Sequence, residues 1–125
     1  MANTVPARKH GAKCQTLVVE DDMLVRMAIV DMLETAGHGV AEAPDAETAL
    51  TRLEREEQFD VLISDISLPG LSGEDLAHAV HSRWPAIRIV LVSGRDRPAL
   101  AKSTGSVSFL PKPFQFEELL KAVEG

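Results

Sequence analysis

An α/β fold, a five-stranded parallel sheet doubly wound by helices, is predicted by three features of this 125-residue sequence. Short apolar runs alternate with segments of helical period from residue 15 to the end. Three of those runs are Val/Ile/Leu-rich and nearly continuous, as strands buried on both faces require. Polar and charged residues collect just after the runs rather than within them. Such alternation places helices on both faces of one sheet through right-handed crossovers.

The first strand is expected at residues 16–19 and stops abruptly in Leu17-Val18-Val19-Glu20-Asp21-Asp22. A helix follows over 23–36, with Val25, Ala28, Ile29, Met32 and Leu33 on one face and Gly37 as its stop. The second strand is expected at 40–42. Asp45 then caps a helix over 45–56 that shows Ala46, Ala49, Leu50 and Leu53 on one side. After the third strand, 61–64, Ser72-Gly73-Glu74-Asp75 reads as a variant capping box. It opens a helix through Leu76, Ala79, Val80 and Trp84 that Pro85 ends. The fourth and fifth strands are expected at 87–92 and 107–110, and Phe116, Leu119, Leu120 and Val123 form the last amphipathic stripe.

The composition bounds the function. Apolar residues make up 45% and charged residues 26%, a globular mix, and the chain is long enough for one hydrophobic core. A formal charge of −6 argues against a broad nucleic-acid footprint. A single cysteine, Cys14, cannot build an internal disulfide framework and suits a reducing compartment. No apolar run approaches membrane-spanning length. Residues 1–14 read as a flexible tail, basic at first but without a signal-peptide core, and 15–125 as the domain. The expectation is a soluble, cytoplasmic single domain.

In open parallel sheets, ligands sit beyond the carboxyl ends of the strands. Here the first strand is followed by Glu20, Asp21 and Asp22, the third by Asp65, the fourth by Ser93 and Gly94, and the fifth by Lys112. The second ends in Glu42-Ala43-Pro44, to which no role is assigned. Three adjacent carboxylates repel one another unless something positive neutralises them. A hard divalent cation such as Mg²⁺ and the Lys112 ammonium would do so. A carboxylate beside that cation can serve as a nucleophile toward phosphorus, with Lys112, the Ser93 hydroxyl and nearby backbone N–H groups holding the phosphoryl oxygens. Each residue also has a plainer reading. Asp22 suits a helix N-cap, Glu20 with Asp21 a solvated turn, and Asp65 ordinary turn chemistry. Ser93-Gly94 suits a loop start, and Lys112 an exposed lysine. Their joint placement after four strands favours the site.

These residues resemble the receiver domain of bacterial two-component response regulators over residues 15–124. Glu20 and Asp21 match the family's acidic pair, and Asp65 with Pro69 and Gly70 matches the D-x-x-x-P-G pattern of the phosphoacceptor. Ser93 and Gly94 match the hydroxyl residue and its small neighbour, and Lys112-Pro113-Phe114 matches the K-P-F signature. The resemblance implies a flavodoxin-like strand order 2-1-3-4-5. It implies a metal site of Glu20, Asp21, Asp65 and the Ser67 carbonyl, holding Mg²⁺ or Mn²⁺. Backbone contacts to the phosphoryl group would come from Ile66 and Gly94, the Lys112–Pro113 bond would be cis, and Ser93 with Phe109 would form a switch. The donor implied is a histidine kinase or phosphotransfer protein; the protein is then no enzyme beyond its own phosphorylation and dephosphorylation. Phosphoryl lifetime would be tuned near Ser67 and Arg95. A monomer or weak dimer without nucleic-acid or membrane contact is expected, either stand-alone or as the receiver of a hybrid kinase or larger regulator.

Two stretches stand apart. Between Gly94 and Val107, Pro98 and Gly105 leave room only for a shortened fourth helix, where Arg95, Arg97 and Lys102 meet an acidic partner or solvent. His78 and His81 lie one helical turn apart, but no third ligand completes a zinc site. Three rival classes fit less well. A metal-dependent phosphatase or primase-like domain would use D-x-D, whereas Asp65-Ile66-Ser67 lacks the second acid. A flavin carrier needs a Ser/Thr/Gly-rich loop where this chain has acids. A receiver-like domain that is never phosphorylated would not need the full set.

Overall fold

Alternation along each strand sorts the apolar residues onto two faces, and the computed structural model shows both faces covered. It describes residues 13–55, 57–94 and 106–125. The elements run β1 (Gln15–Val19), α1 (Met23–Thr35), β2 (Gly39–Ala43), α2 (Ala46–Glu54), β3 (Val61–Asp65), α3 (Gly73–Arg83), β4 (Arg88–Ser93), β5 (Val107–Pro111) and α4 (Phe116–Glu124). All strand pairs are parallel, in the order β2-β1-β3-β4-β5.

One face presents Leu17, Val19, Leu62, Ile89 and Leu91 to Ala46, Ala49 and Leu53 of α2 and Leu76, Ala77 and Val80 of α3. The other presents Val18, Val61, Ile63, Val90 and Val92 to Ile29 and Leu33 of α1 and Leu119 and Val123 of α4. The switch from Leu17 to Val18 to Val19 is the period of two expected of a strand covered on both sides. Burying one such side chain is worth roughly 1.5–3 kcal/mol.

The helix starts are made by the side chains that the sequence offered for them. Asp22 Oδ1 accepts from the N–H groups of Leu24 (2.9 Å) and Val25 (3.2 Å). Asp45 Oδ1 accepts from Thr48 N–H at 2.7 Å, and Ser72 Oγ from Asp75 N–H at 3.0 Å. Gly37, just past α1, adopts φ 94°, the left-handed conformation that ends a helix.

Several boundaries differ from the expected ones. β4 is shifted one residue onward, because Ile87 closes a turn by donating to the Trp84 carbonyl at 3.0 Å. Ser93 is therefore the last strand residue, paired with Pro111. Asp65 likewise completes β3, opposite Val92. β2 gains a residue at each end, since parallel pairing with β1 continues from Gly39 to Ala43. Ala28 is exposed rather than part of the buried face of α1. α2 stops at Glu54. The shortened fourth helix, with Arg95, Arg97, Pro98, Lys102 and Gly105, and most of the N-terminal tail lie outside the described residues.

Candidate functional site

The carboxyl ends of β1, β3, β4 and β5 meet at one edge of the sheet and bring Glu20, Asp65, Ser93 and Lys112 together. Glu20 is the first residue beyond β1 and is only 2% exposed. Its backbone N–H donates to the Ala43 carbonyl at 3.1 Å, which continues the β1–β2 ladder by one residue. Its Oε2 accepts from Asp22 N–H at 3.0 Å, so the carboxylate is folded back over its own loop. Asp21, between them, is exposed. One carboxylate oxygen each from Glu20, Asp21 and Asp65 lie within 4.8 Å of one another. The opening Glu-Asp-Asp run is thus divided by function. Asp22 caps α1, while Glu20 and Asp21 turn toward Asp65.

Lys112 reaches this cluster from the end of β5, 92 residues along the chain from Glu20. Its Nζ donates to Glu20 Oε1 at 3.2 Å and lies 3.5 Å from Asp65 Oδ2. Burial raises the pKa of the Glu20 carboxyl and nearby Asp65 pushes the same way; the Asp22 N–H and the Lys112 charge oppose them without prevailing. For Lys112, burial works against the charge, but Asp65 and Glu20 outweigh it and its pKa is raised. The group is therefore an acidic cluster paired with the Lys112 cation, and its carboxylate donors are hard oxygens. Three carboxylate oxygens gathered within 4.8 Å, with no softer donor among them, are the donor type that a hard divalent ion such as Mg²⁺ takes.

The rest of the edge is organised around Asp65. Ser67 N–H donates to Asp65 Oδ1 at 3.3 Å. Ser93 is buried, and its carbonyl accepts from Lys112 N–H at 2.9 Å, which ties the hydroxyl residue directly to the lysine. Gly94 is exposed, and among the described residues a Cβ placed there would meet nothing within 4 Å. The Lys112–Pro113 peptide bond is cis. Phe109 is half-buried in register with Leu91 and packs on the α2/α3 side of the core. The backbone N–H of Ile66, expected to contact a phosphoryl group, donates instead to the Val92 carbonyl at 3.1 Å. The β3–β4 ladder runs one residue past Asp65 and uses that donor. His81 Nδ1 lies 3.4 Å from Ser106 Oγ while His78 is exposed, and the one acidic or His/Cys cluster suited to a metal among the described residues is that of Glu20, Asp21 and Asp65.

Three contributors were not read from the sequence. A Cβ on Gly73 would sit 1.9 Å from the Asp65 carbonyl oxygen, so only glycine lets α3 start this close to the end of β3. Glu47 Oε2, on α2, accepts from Leu71 N–H at 3.3 Å beside Gly70, which adopts φ 73°, and so holds the loop after Asp65. Arg26 Nη1 donates to the Glu20 carbonyl at 2.7 Å. Arg26 alone had a local signal: it is a cation near the positive end of a helix dipole, beside three acids.

Comparison with known proteins agrees with this fold. The family model of the response regulator receiver domain matches residues 16–124. Response regulator protein FleR of Pseudomonas aeruginosa is 36% identical over 112 residues, covering 87% of this chain and 24% of FleR. The chain thus spans about a quarter of that curated relative. The solved receiver domain from the hybrid histidine kinase CckA superposes with a TM-score of 0.75 at 32% identity, over 88% of this chain and 95% of that one. Chemotaxis protein CheY4 of Vibrio cholerae gives 0.80 at 30%, over 90% and 98%.

Proposed function

The chain belongs to the family of response regulator receiver domains of two-component signalling, and on that premise we propose that Asp65 is its phosphoacceptor. The observation that carries the proposal is the convergence of Glu20, Asp21 and Asp65 within 4.8 Å, with Lys112 Nζ 3.5 Å from Asp65 Oδ2. An Asp65 carboxylate oxygen attacks phosphorus, a new O–P bond forms, and the P–N bond of a phosphohistidine donor breaks with its electron pair leaving on the imidazole. Receiver domains bind Mg²⁺ at an acidic pocket, and here Glu20, Asp21, Asp65 and the Ser67 carbonyl would hold it, offsetting negative charge as the phosphoryl group arrives. Lys112, already shared between Glu20 and Asp65, is placed to turn one N–H to a phosphoryl oxygen. The Ser93 hydroxyl takes another, and Phe109 follows Ser93 in the resulting shape change. Mn²⁺ would substitute for Mg²⁺, since both accept oxygen donors.

The donor in this reading is a histidine kinase or phosphotransfer protein. Met23, Leu24 and Met27 of α1 are 62%, 77% and 56% exposed, and Leu24 borders an apolar groove that reaches Lys112, Pro113 and Phe114. An exposed apolar surface touching the reactive edge supports a protein as donor rather than a small molecule alone. The chemistry proposed is limited to the domain's own phosphorylation and dephosphorylation. Its setting is cytoplasmic, as a monomer or weak dimer without nucleic-acid contact. Among the described residues no helix is long and apolar enough to cross a membrane.

Intact mass after incubation with acetyl phosphate tests the proposal. A single phosphoryl adduct that requires Mg²⁺ and vanishes in Asp65→Asn is expected. An adduct that persists in Asp65→Asn would place the acceptor elsewhere.

A further inference from the structure

Arg26 has no place in the chemistry above, yet it is among the most constrained side chains near the site. We propose that Arg26 is a positioning residue for the divalent-cation site, acting through the peptide between Glu20 and Asp21; the inference rests on the metal site proposed above. Arg26 lies in the first turn of α1, is only 16% exposed and divides its guanidinium between two partners. Nη1 donates to the Glu20 carbonyl at 2.7 Å, and Nε donates to Glu42 Oε1 on β2 at 3.1 Å.

The consequence is local and geometric. The backbone of Glu20 is held at both ends, its N–H by the Ala43 carbonyl at 3.1 Å and its carbonyl by Arg26. The orientation of that peptide determines how the side chains of Glu20 and Asp21, on either side of it, are directed toward Asp65. Glu20 and Asp22 have further hydrogen bonds of their own, through Asp22 N–H and the α1 cap. Among the described residues the exposed Asp21 side chain has no hydrogen-bond partner, so its direction follows the backbone that carries it.

The helix dipole argues against an arginine here, while the neighbouring acids favour one. It sits near the positive end of the helix dipole, and α1 has no acidic residue in its first turn to offset it. A cation beside a cation site also opposes metal binding through space. Glu42, paired with the guanidinium at 3.1 Å, compensates that charge and leaves the hydrogen bond to Glu20 in place. The role so far unassigned to Glu42, at the end of the edge strand, is thereby accounted for.

The two effects of Arg26 carry opposite signs, which makes the proposal testable. Calorimetric titration with MgCl₂ would compare the wild type with Arg26→Met, Arg26→Lys and Glu42→Gln, each with its melting temperature in EDTA. Arg26→Met removes a positive charge, so a purely electrostatic role predicts tighter Mg²⁺ binding. Loss of positioning predicts weaker binding, by about tenfold, the lower end for partners that orient metal ligands. Arg26→Lys keeps the charge but loses the two-pronged geometry, so it should bind Mg²⁺ more weakly than the wild type, where a purely electrostatic role predicts no change. If Arg26→Met does not fold, Arg26→Lys decides: weaker binding supports positioning, and unchanged binding overturns it. At saturating Mg²⁺, adduct formation with acetyl phosphate should recover in every folded variant. Unchanged or tighter Mg²⁺ binding in folded variants overturns the role of Arg26 alone. A wild type that binds no Mg²⁺ overturns the metal site and this inference together.

Discussion

Leu62 and Asp65 lie three residues apart on β3, yet one is enclosed by apolar side chains and the other faces two carboxylates. In the interior of the sheet the apolar strand residues meet apolar partners on the face to which their position assigns them, and buried Thr16 and Ser64 satisfy their hydroxyls on the Gly39 and Asp65 carbonyls. At the carboxyl edge, three like charges are gathered where burial and mutual repulsion already raise the Glu20 pKa, and Lys112 is shared between two of them. The comparison teaches that stability resides in the strand interiors, while the strand ends hold charges in an arrangement that a divalent cation would relieve.

The largest effect expected from this contrast lies in the interior. Leu62→Ala should lower unfolding free energy by about 2–5 kcal/mol in urea melts, through lost transfer energy and the cavity left behind. Next comes metal. At roughly ten times its dissociation constant, Mg²⁺ should add about 1.4 kcal/mol, measured as a rise in melting temperature that EDTA reverses. Asp21→Asn should shrink this rise while leaving the melting temperature in EDTA nearly unchanged.

A carboxylate with donors for neighbours should behave in the opposite way to those at the edge. The hydrogen bonds from Thr48 hold the Asp45 pKa below its usual range. Its stabilisation is therefore present above the ordinary Asp pKa and lost as pH falls through the lowered folded value. Asp45→Ala should cost about 1 kcal/mol at neutral pH, and equal melting of mutant and wild type at neutral pH would sink the capping role. Asp65→Asn should move stability the other way, raising it by up to about 1 kcal/mol in EDTA, the scale of one partly exposed charge pair. A marked loss would show that the edge is not in conflict.

The smallest expected effect is a slope. The Glu20 pKa is raised in the folded state, so its contribution is greatest below the ordinary glutamate pKa and declines as pH rises through the folded value. Melting curves of wild type and Glu20→Gln in EDTA should accordingly differ less favourably for wild type as pH rises across that window. Saturating Mg²⁺ should reverse the trend, because only the ionised carboxylate binds it.

Much of this was legible in the chain. Leu17-Val18-Val19 displays its two-faced burial in its own composition, and Asp22, Asp45 and Ser72 announce helix starts because capping needs only neighbours two or three residues away. Glu20, Asp65, Ser93 and Lys112 were each visible as a polar residue ending an apolar run. Exact ends were not, because Ser93 and Asp65 join their strands only through pairing with Pro111 and Val92. The use of Ile66 N–H by Val92 depends on the same register.

What the sequence determined by itself is therefore whatever rests on local period and local hydrogen bonding: the elements, the two apolar faces and the residues delivered to one edge. Tertiary structure alone decided which delivered groups touch. The Lys112–Glu20 ion pair, the approach of Gly73 to the Asp65 carbonyl and the hold of Arg26 on Glu20 between β1 and β2 all depend on distances between elements. Those distances follow from helix docking and strand register, which no single segment encodes.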